Sequence, residues 1–212
     1  MQVLHRVVGP VLTNVWVLSD EASREAIAVD TATPSAAWVT EGLAERGWTL
    51  KLIISTHRHW DHIGDNAAVA EATGAPIAVH TLDRPGLERP EPLFAPFPIP
   101  PSVPAIELAE GGVVTFGSIR LEVLHTPGHT EGSVCLLDRE SGILLSGDTL
   151  FAGAWGRTDL PGGSEPAMVE SLTRLSRLQP SLRVLPGHGA ATTLDRELPW
   201  LDLVAREGRL FA

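Results

Sequence analysis

The segment Thr56-His57-Arg58-His59-Trp60-Asp61-His62 places three imidazoles and one carboxylate within six consecutive positions. Imidazole nitrogen and carboxylate oxygen are ligands that zinc, iron and manganese accept. His57 and His59 are two residues apart, so extended chain sets them on the same side. Asp61 and His62 come where the chain must turn toward the next helix and can aim elsewhere. The spacing H-x-H-x-D-H therefore points to two neighbouring cation subsites fed by one loop. The alternative is a polar loop that happens to be rich in histidine, but the chain has only 8 histidines in all.

Four short apolar runs end in a residue able to bind a metal. Leu52 to Ile54 leads to His57, His59, Asp61 and His62. Leu121 to Leu124 leads through Thr126-Pro127-Gly128 to His129. Ile143 to Leu145 leads through Ser146-Gly147 to Asp148, and Val184-Leu185 leads through Pro186-Gly187 to His188. The last three ligands each follow a glycine, which permits a tight turn and close backbone approach. The best division gives one ion to His57, His59 and His129 and a second to Asp61, His62 and His188, with Asp148 bridging. Such a set leaves a position for water on each ion. Two adjacent divalent ions can hold a bridging hydroxide at neutral pH and polarise a substrate carbonyl. They also make a cationic focus in an acidic chain, suited to an anionic substrate. Taken singly, His129 or His188 reads as a turn or core histidine and Asp148 as a cap. His5, His80 and His125 keep that plainer reading, and Cys135, in an apolar strand, reads as a core thiol. Trp60 and Trp155 border the ligands and serve equally as site walls or as packing.

The elements that must position these groups are short. Val3 to Val8, Val15 to Leu18 and Ala26 to Asp30 read as an antiparallel meander. Thr33-Pro34 opens a helix that ends before Gly47, with Thr33 as cap and Pro34 in the first helical position. Lys51 to Ser55 is the strand that delivers the histidine loop. Asp65 caps a helix from Asn66 to Thr73, closed by Gly74, and Pro76 to Val79 is a further strand. Residues 84–104 hold eight prolines and exclude regular helix or central strand. Phe94 and Phe97 favour a packed flap there, placed as the joint between two halves. Val113 to Phe116 and Ile119 to His125 form a hairpin, and Val134 to Leu137 pairs with Ile143 to Leu145. Ser164 caps a helix reaching about Leu178, Arg183 to Leu185 is the last strand, and a final helix lies within residues 194–207. Strand clusters followed by helices occur twice, which implies an α/β (α+β) four-layer αββα sandwich over one domain, residues 1–212.

Composition narrows the class. The chain has 212 residues, 43% of them apolar, with 16 basic against 26 acidic residues and a net charge of −10. There is no basic run, so no nucleic-acid partner is expected. No apolar stretch approaches a membrane span, and the start lacks the pattern of a signal peptide, so a cytoplasmic protein with no membrane partner is expected. One cysteine excludes an internal disulfide.

His57-x-His59-x-Asp61-His62, Gly128-His129-Thr130, Gly147-Asp148-Thr149 and Pro186-Gly187-His188-Gly189 resemble, in order and across essentially the whole chain, the motifs of the metallo-β-lactamase superfamily. The segment Gly147 to Gly163 looks like the short bacterial branch related to glyoxalase II, hydroxyacylglutathione hydrolase. The resemblance implies the αββα sandwich, the binuclear site and hydrolysis of S-D-lactoylglutathione or a related small acyl thioester. It implies two divalent ions, zinc first, with iron or manganese equally compatible with these ligands. Asp61 and Asp148 are then catalytic as well as ligating, and Arg157 is a candidate grip for a substrate carboxylate or, alternatively, a structural ion pair. Members of that branch typically carry a C-terminal helical domain with basic glutathione-binding residues. Only 24 residues follow His188, so that domain is expected to be absent and the thiol half of the substrate stays open.

Other branches fit less well. True β-lactamases commonly have cysteine where Asp148 stands, or lack such a bridge. Lactonases carry an active-site tyrosine, and this chain has none. The strongest rival is a persulfide dioxygenase, which has a stretch like Gly156 to Asp159 and uses one iron, here held by His57, His129 and Asp148. A non-catalytic metal-binding interaction protein is the remaining class, disfavoured by a full set of seven ligands.

Overall fold

Strand β2 shows why this chain folds in layers. All eight of its residues, Thr13–Asp20, are buried, and successive side chains enter different cores. Val15 and Val17 pack with one cluster, and Trp16 and Leu18 with another. A strand covered on both faces needs apolar residues at both parities of its alternation.

The computed structural model describes residues 1–91 and 95–211. Within them the chain runs β1 (Gln2–Val8), β2, β3 (Glu25–Val29), α1 (Ala36–Arg46), β4 (Thr49–Ile54), α2 (Trp60–Ile63), α3 (Asn66–Thr73), β5 (Ile77–His80), α4 (Arg84–Glu88) and β6 (Ile106–Leu108). It continues with β7 (Val113–Phe116), β8 (Ile119–His125), β9 (Val134–Asp138), β10 (Ile143–Gly147), β11 (Leu150–Phe151), β12 (Ala154–Trp155), α5 (Glu165–Leu175), β13 (Arg183–Pro186), β14 (Thr192–Thr193) and α6 (Leu194–Glu207). Strands β1 to β6 form one six-stranded sheet in chain order, antiparallel as far as β3 and parallel from β3 to β6. The second six-stranded sheet has the order β14-β13-β10-β9-β8-β7, with β10 and β13 parallel.

Three cores hold the layers together. Between the sheets, Trp16, Leu18, Ile27, Ile54 and Leu108 meet Phe116, Leu121, Val123, Leu136 and Leu145. Outside the first sheet, Val39 and Leu43 of α1, Val69 of α3 and Leu87 of α4 cover Val15, Val17, Ile53 and Val79. Outside the second, Met168, Leu172 and Leu175 of α5 and Leu201 and Val204 of α6 cover Leu124, Leu137, Leu144 and Val184. This is the expected αββα sandwich. No described helix is long and apolar enough to cross a membrane.

Several local expectations are corrected. The first helix starts at Ala36, with Ser35 rather than Thr33 at its N-cap position. Asp65 does not cap its own helix with its side chain. Its carboxylate instead accepts from Ser35 N (2.6 Å) and Ala36 N (2.7 Å), so it serves the start of α1 across space. The α5 helix ends at Leu175, three residues short of Leu178. The proline-rich stretch opens with a short helix, α4, because Pro85 stands at its start, where a missing N–H costs nothing. It is also not the joint between halves. It returns to β6, which pairs in parallel with β5 of the same sheet, so the crossing to the second sheet comes after Leu108. Phe97 meets Trp60 edge-on at 5.9 Å, as a packed flap requires; Phe94 lies outside the described residues.

A candidate metal centre at the strand ends

Every sequence-predicted ligand leaves the carboxyl end of a strand on the same side of the sandwich. β4 feeds the histidine loop, β8 feeds His129, β10 feeds Asp148 and β13 feeds His188. Val134 N of β9 donates to Thr56 O at 2.9 Å, tying the histidine loop to the second sheet. In return, β2 of the first sheet holds the His188 loop. Asn14 Nδ2 donates to Pro186 O and Gly189 O, both at 2.9 Å, and Trp16 Nε1 donates to Pro186 O at 3.0 Å. Gly187 has to be glycine here, since a Cβ would collide with the Asp148 carboxylate and the His62 ring.

Two clusters of ligand atoms result. His57, His59 and His129 form the first, and Asp61, His62 and His188 the second, with the atoms of each set within 4.8 Å of one another. In the first, His59 Nδ1 and His129 Nε2 are 2.8 Å apart. In the second, His188 Nε2 lies 3.2 Å from Asp61 Oδ2 and 3.2 Å from His62 Nε2. Asp148 stands between them. Its Oδ2 is 3.5 Å from His129 Nε2 and 3.4 Å from His188 Nε2, and its Oδ1 is 3.4 Å from His62 Nε2.

Hydrogen bonds behind the rings decide which nitrogens face inward. His129 Nδ1 meets Arg157 O at 2.7 Å and His188 Nδ1 meets Val11 O at 3.1 Å. A carbonyl only accepts, so both Nδ1 atoms carry hydrogen and Nε2 is the atom left to present a lone pair to a cation. His62 Nδ1 donates in the same way to Asp30 Oδ2 at 2.9 Å. Thr56 Oγ1 gives its own proton to Asp30 Oδ2 (2.8 Å), so it accepts from His57 Nδ1 at 3.1 Å. Four Nε2 lone pairs are thereby aimed at common centres by outer partners, as in metal sites generally. Two of the inward atoms, His57 Nε2 and Asp148 Oδ1, are buried with no hydrogen-bond partner among the described residues. Leaving such atoms unpaired is costly. A cation in each cluster would satisfy both, so the residues fit a divalent pair.

The metallo-beta-lactamase superfamily model matches residues 8–188 of this chain. The chain belongs to the metallo-beta-lactamase superfamily. A protein of Aquifex aeolicus without an assigned function is 35% identical over 196 residues, 90% of each chain. A hydroxyacylglutathione hydrolase of Cereibacter sphaeroides is 37% identical over 204 residues, 93% of this chain and 72% of the hydrolase. Among solved structures, BLEG-1 B3 metallo-beta-lactamase superposes with a TM-score of 0.85 at 31% identity, over 96% of this chain and 100% of that one. TTHA1623 in a di-iron-bound form gives 0.82 at 35% identity, over 92% and 96%. ETHE1 from Myxococcus xanthus gives 0.82 at 26%, over 98% and 88%.

Within this superfamily fold the two clusters differ in charge. Burial, with the neighbouring imidazoles, holds His57 well below the ordinary histidine range, and burial followed by His129 brings His59 down to about 3. In the second cluster burial also opposes protonation, but carboxylates outweigh it. Asp148, Asp61 and Asp30 raise His62, and Asp148 and Asp61 raise His188 to about 9. Burial alone would lift Asp61 and Asp148, yet His62 and His188 pull both below the usual carboxylate range.

The clusters open into a cavity of about 890 Å³ walled by Trp60, Leu82, Phe151, Leu160 and Pro161. Trp60 lines it as anticipated. Trp155 does not, and packs instead against Trp200 at 5.5 Å. Arg157 reaches the cavity, but its guanidinium holds Asp159 in a two-point pair at 2.7 and 2.8 Å. His5 stacks on Trp16 at 4.0 Å and His80 on His125 at 4.2 Å, away from the clusters. Cys135 is a core thiol, pushed up to about 11 by burial.

Sequence reasoning passed over Asp30. It ends β3 as the other ligands end their strands, and it is 1% exposed. That shared pattern, an apolar run closing on a carboxylate, was its signal. Asp30 also lies close enough to His57 and His62 to count as a third possible cation set. Its oxygens already accept from Thr56 N, Thr56 Oγ1 and His62 Nδ1, so it acts as the outer support of the ligands.

Proposed function

We propose that this protein is a binuclear metal-dependent hydrolase of small acyl thioesters, of the hydroxyacylglutathione hydrolase type. The observation that carries the reading is the pair of three-residue clusters with Asp148 between them, open to one cavity. His57, His59 and His129 would hold one ion, Asp61, His62 and His188 the other, and Asp148 both. Bound there, two divalent ions supply a nucleophilic hydroxide at neutral pH and a Lewis acid for the carbonyl. Zinc, iron and manganese all suit these ligands.

The chain's own groups do the rest. Asp61 Oδ2, 3.3 Å from Thr13 Oγ1, is placed to accept a hydrogen bond from the attacking hydroxide and orient it. A thiolate is a stable leaving group, so no side chain need act as a strong acid. Trp60, Phe151 and Leu82 give the apolar parts of the substrate a wall and keep bulk water from the carbonyl. Arg157 exchanges its exposed Asp159 partner for a substrate carboxylate, a contact that two-point guanidinium geometry favours. Likeness to the Cereibacter sphaeroides hydrolase supports the thioester class.

Likeness to ETHE1 supports a second reading, oxygen activation at one iron held by His57, His129 and Asp148. One experiment separates the two. Purified protein is assayed on S-D-lactoylglutathione, on glutathione persulfide and on a chromogenic β-lactam, with metal content measured on the same sample. Thioester cleavage without oxygen uptake and with two metals per chain supports the hydrolase. Oxygen uptake with one iron overturns it in favour of the dioxygenase, and β-lactam turnover alone overturns both.

A further inference from the structure

We infer that Asp83 is a positioning residue for the first histidine cluster, acting through Arg58 and Thr130 to hold His57, His59 and His129 in mutual register. Asp83 sits at the N-cap position of α4, where an aspartate ordinarily accepts from its own helix, yet its side chain makes no such bond. The carboxylate is fully buried and turned toward the ligand loops. Its Oδ2 accepts from Arg58 N at 2.9 Å and from Thr130 Oγ1 at 2.6 Å. Its Oδ1 accepts from Arg58 Nη1 at 2.6 Å and from Gly132 N at 3.0 Å. Arg58 is the residue between His57 and His59, and Thr130 follows His129. One carboxylate with four donors therefore joins the loop of the first sheet to the loop of the second, directly behind the atoms that converge.

The fit around this pair is close. A Cβ on Gly132 would run into the Asp83 carboxylate, and a Cβ on Gly86 or Gly162 would run into the Arg58 side chain. Arg58 Nη2 also donates to Pro161 O at 2.8 Å, so the guanidinium is held on two sides. Arg58 lines the cavity, but these bonds engage it in alignment and leave it poorly placed to grip a substrate. Asp83 makes no hydrogen bond to Asp61, His62 or His188 or to their neighbours in sequence among the described residues. Asp30, Val11 and Asn14 serve the second cluster. The effect of Asp83 should thus fall on one cluster only.

This inference rests on reading the first cluster as a metal site, and Zn²⁺ titration of the metal-free full chain tests the two separately. In a His188→Ala background only the first cluster is complete, and in a His129→Ala background only the second. Outer partners of metal ligands are each worth roughly 10–100-fold in affinity. Adding Asp83→Asn should weaken Zn²⁺ binding by that factor in the His188→Ala background and by less than about twofold in the other, since the Asp83 carboxylate bonds only to segments that carry the first cluster's ligands. Equal weakening in both backgrounds, or none in either, overturns the positioning role. A wild-type chain that binds no Zn²⁺ overturns the metal reading itself. If Asp83→Asn fails to fold, Thr130→Val decides: it removes one donor and should weaken the first cluster alone by several-fold, and an unchanged affinity overturns the inference.

Discussion

The first cluster, His57, His59 and His129, and the second, Asp61, His62 and His188, share one loop but not one environment. In the first, burial keeps His57 and His59 unprotonated. The second is set among carboxylates, and its His188 keeps 24% side-chain exposure. The supports differ too. Asp30 touches His62 directly, while Asp83 reaches the first cluster only through the loop around it. Imidazoles that burial keeps neutral hold no proton that a cation must displace. A cluster rich in carboxylate attracts cations more strongly but also holds protons that a cation must displace.

Asp148 is where this contrast can be broken most severely. Replacing it by alanine removes the group common to both clusters, and turnover should fall roughly a thousandfold, about 4 kcal/mol of lost stabilisation. Metal analysis should show both ions weakened; full turnover would refute the bridging role. Asp61→Asn sharpens the contrast, since it should empty the second cluster and spare the first. Metal content should drop from two ions per chain to one, and turnover should fall roughly a hundredfold, which total metal analysis and steady-state kinetics check.

The pH dependence should separate the clusters next. His188 is raised to about 9, so below that pH it binds a proton that a metal must expel, and His62 is raised as well. Affinity of the second cluster should therefore fall as pH falls, by up to about tenfold per unit for each proton displaced. His59 is down at about 3 and His57 lies well below its ordinary range, so these two ligands hold no proton to displace and the affinity of the first cluster should fall less steeply over the same range. Competition titrations with a chelator across that range measure both, and parallel slopes would contradict the difference in charge. The smallest effect expected is at Arg157. Arg157→Ala should raise the Michaelis constant roughly fivefold for anionic thioesters and leave neutral ones unchanged, the size expected of one charge-assisted contact. Equal constants for both substrates would return Arg157 to a purely structural pair with Asp159.

The two halves of the site also differ in how far they could be read from the chain. The histidine loop stands out, because it gathers four metal-competent side chains into six residues in a chain with only 8 histidines. The other three ligands were visible only as a repeated pattern, an apolar run, a glycine and then a polar residue. Strand β6 gave no signal, since three residues between prolines and an acidic turn carry too little periodicity. The joint between the sheets was consequently placed too early. Asp65 misleads as a cap, and Asp83 behaves in the same way although the sequence offered no helix after it. Each occupies an N-cap position, where local chemistry predicts a bond to its own helix, and each spends its carboxylate on a distant segment instead.

Residue type and spacing were enough to single out the seven candidate ligands and to point to two neighbouring subsites on one loop. They also pointed to the layered class, because strand clusters followed by helices occur twice along the chain. Which nitrogen of each ring faces inward was decided by the tertiary structure, through acceptors on other segments such as Val11 O and Arg157 O. So were the opposite shifts of His57 and His59 on one side and of His62 and His188 on the other, and the bonds that gather at Asp83. Protonation and orientation depend on what lies within a few ångströms in space, and those neighbours are more than a hundred residues away in the chain for His188 and Val11.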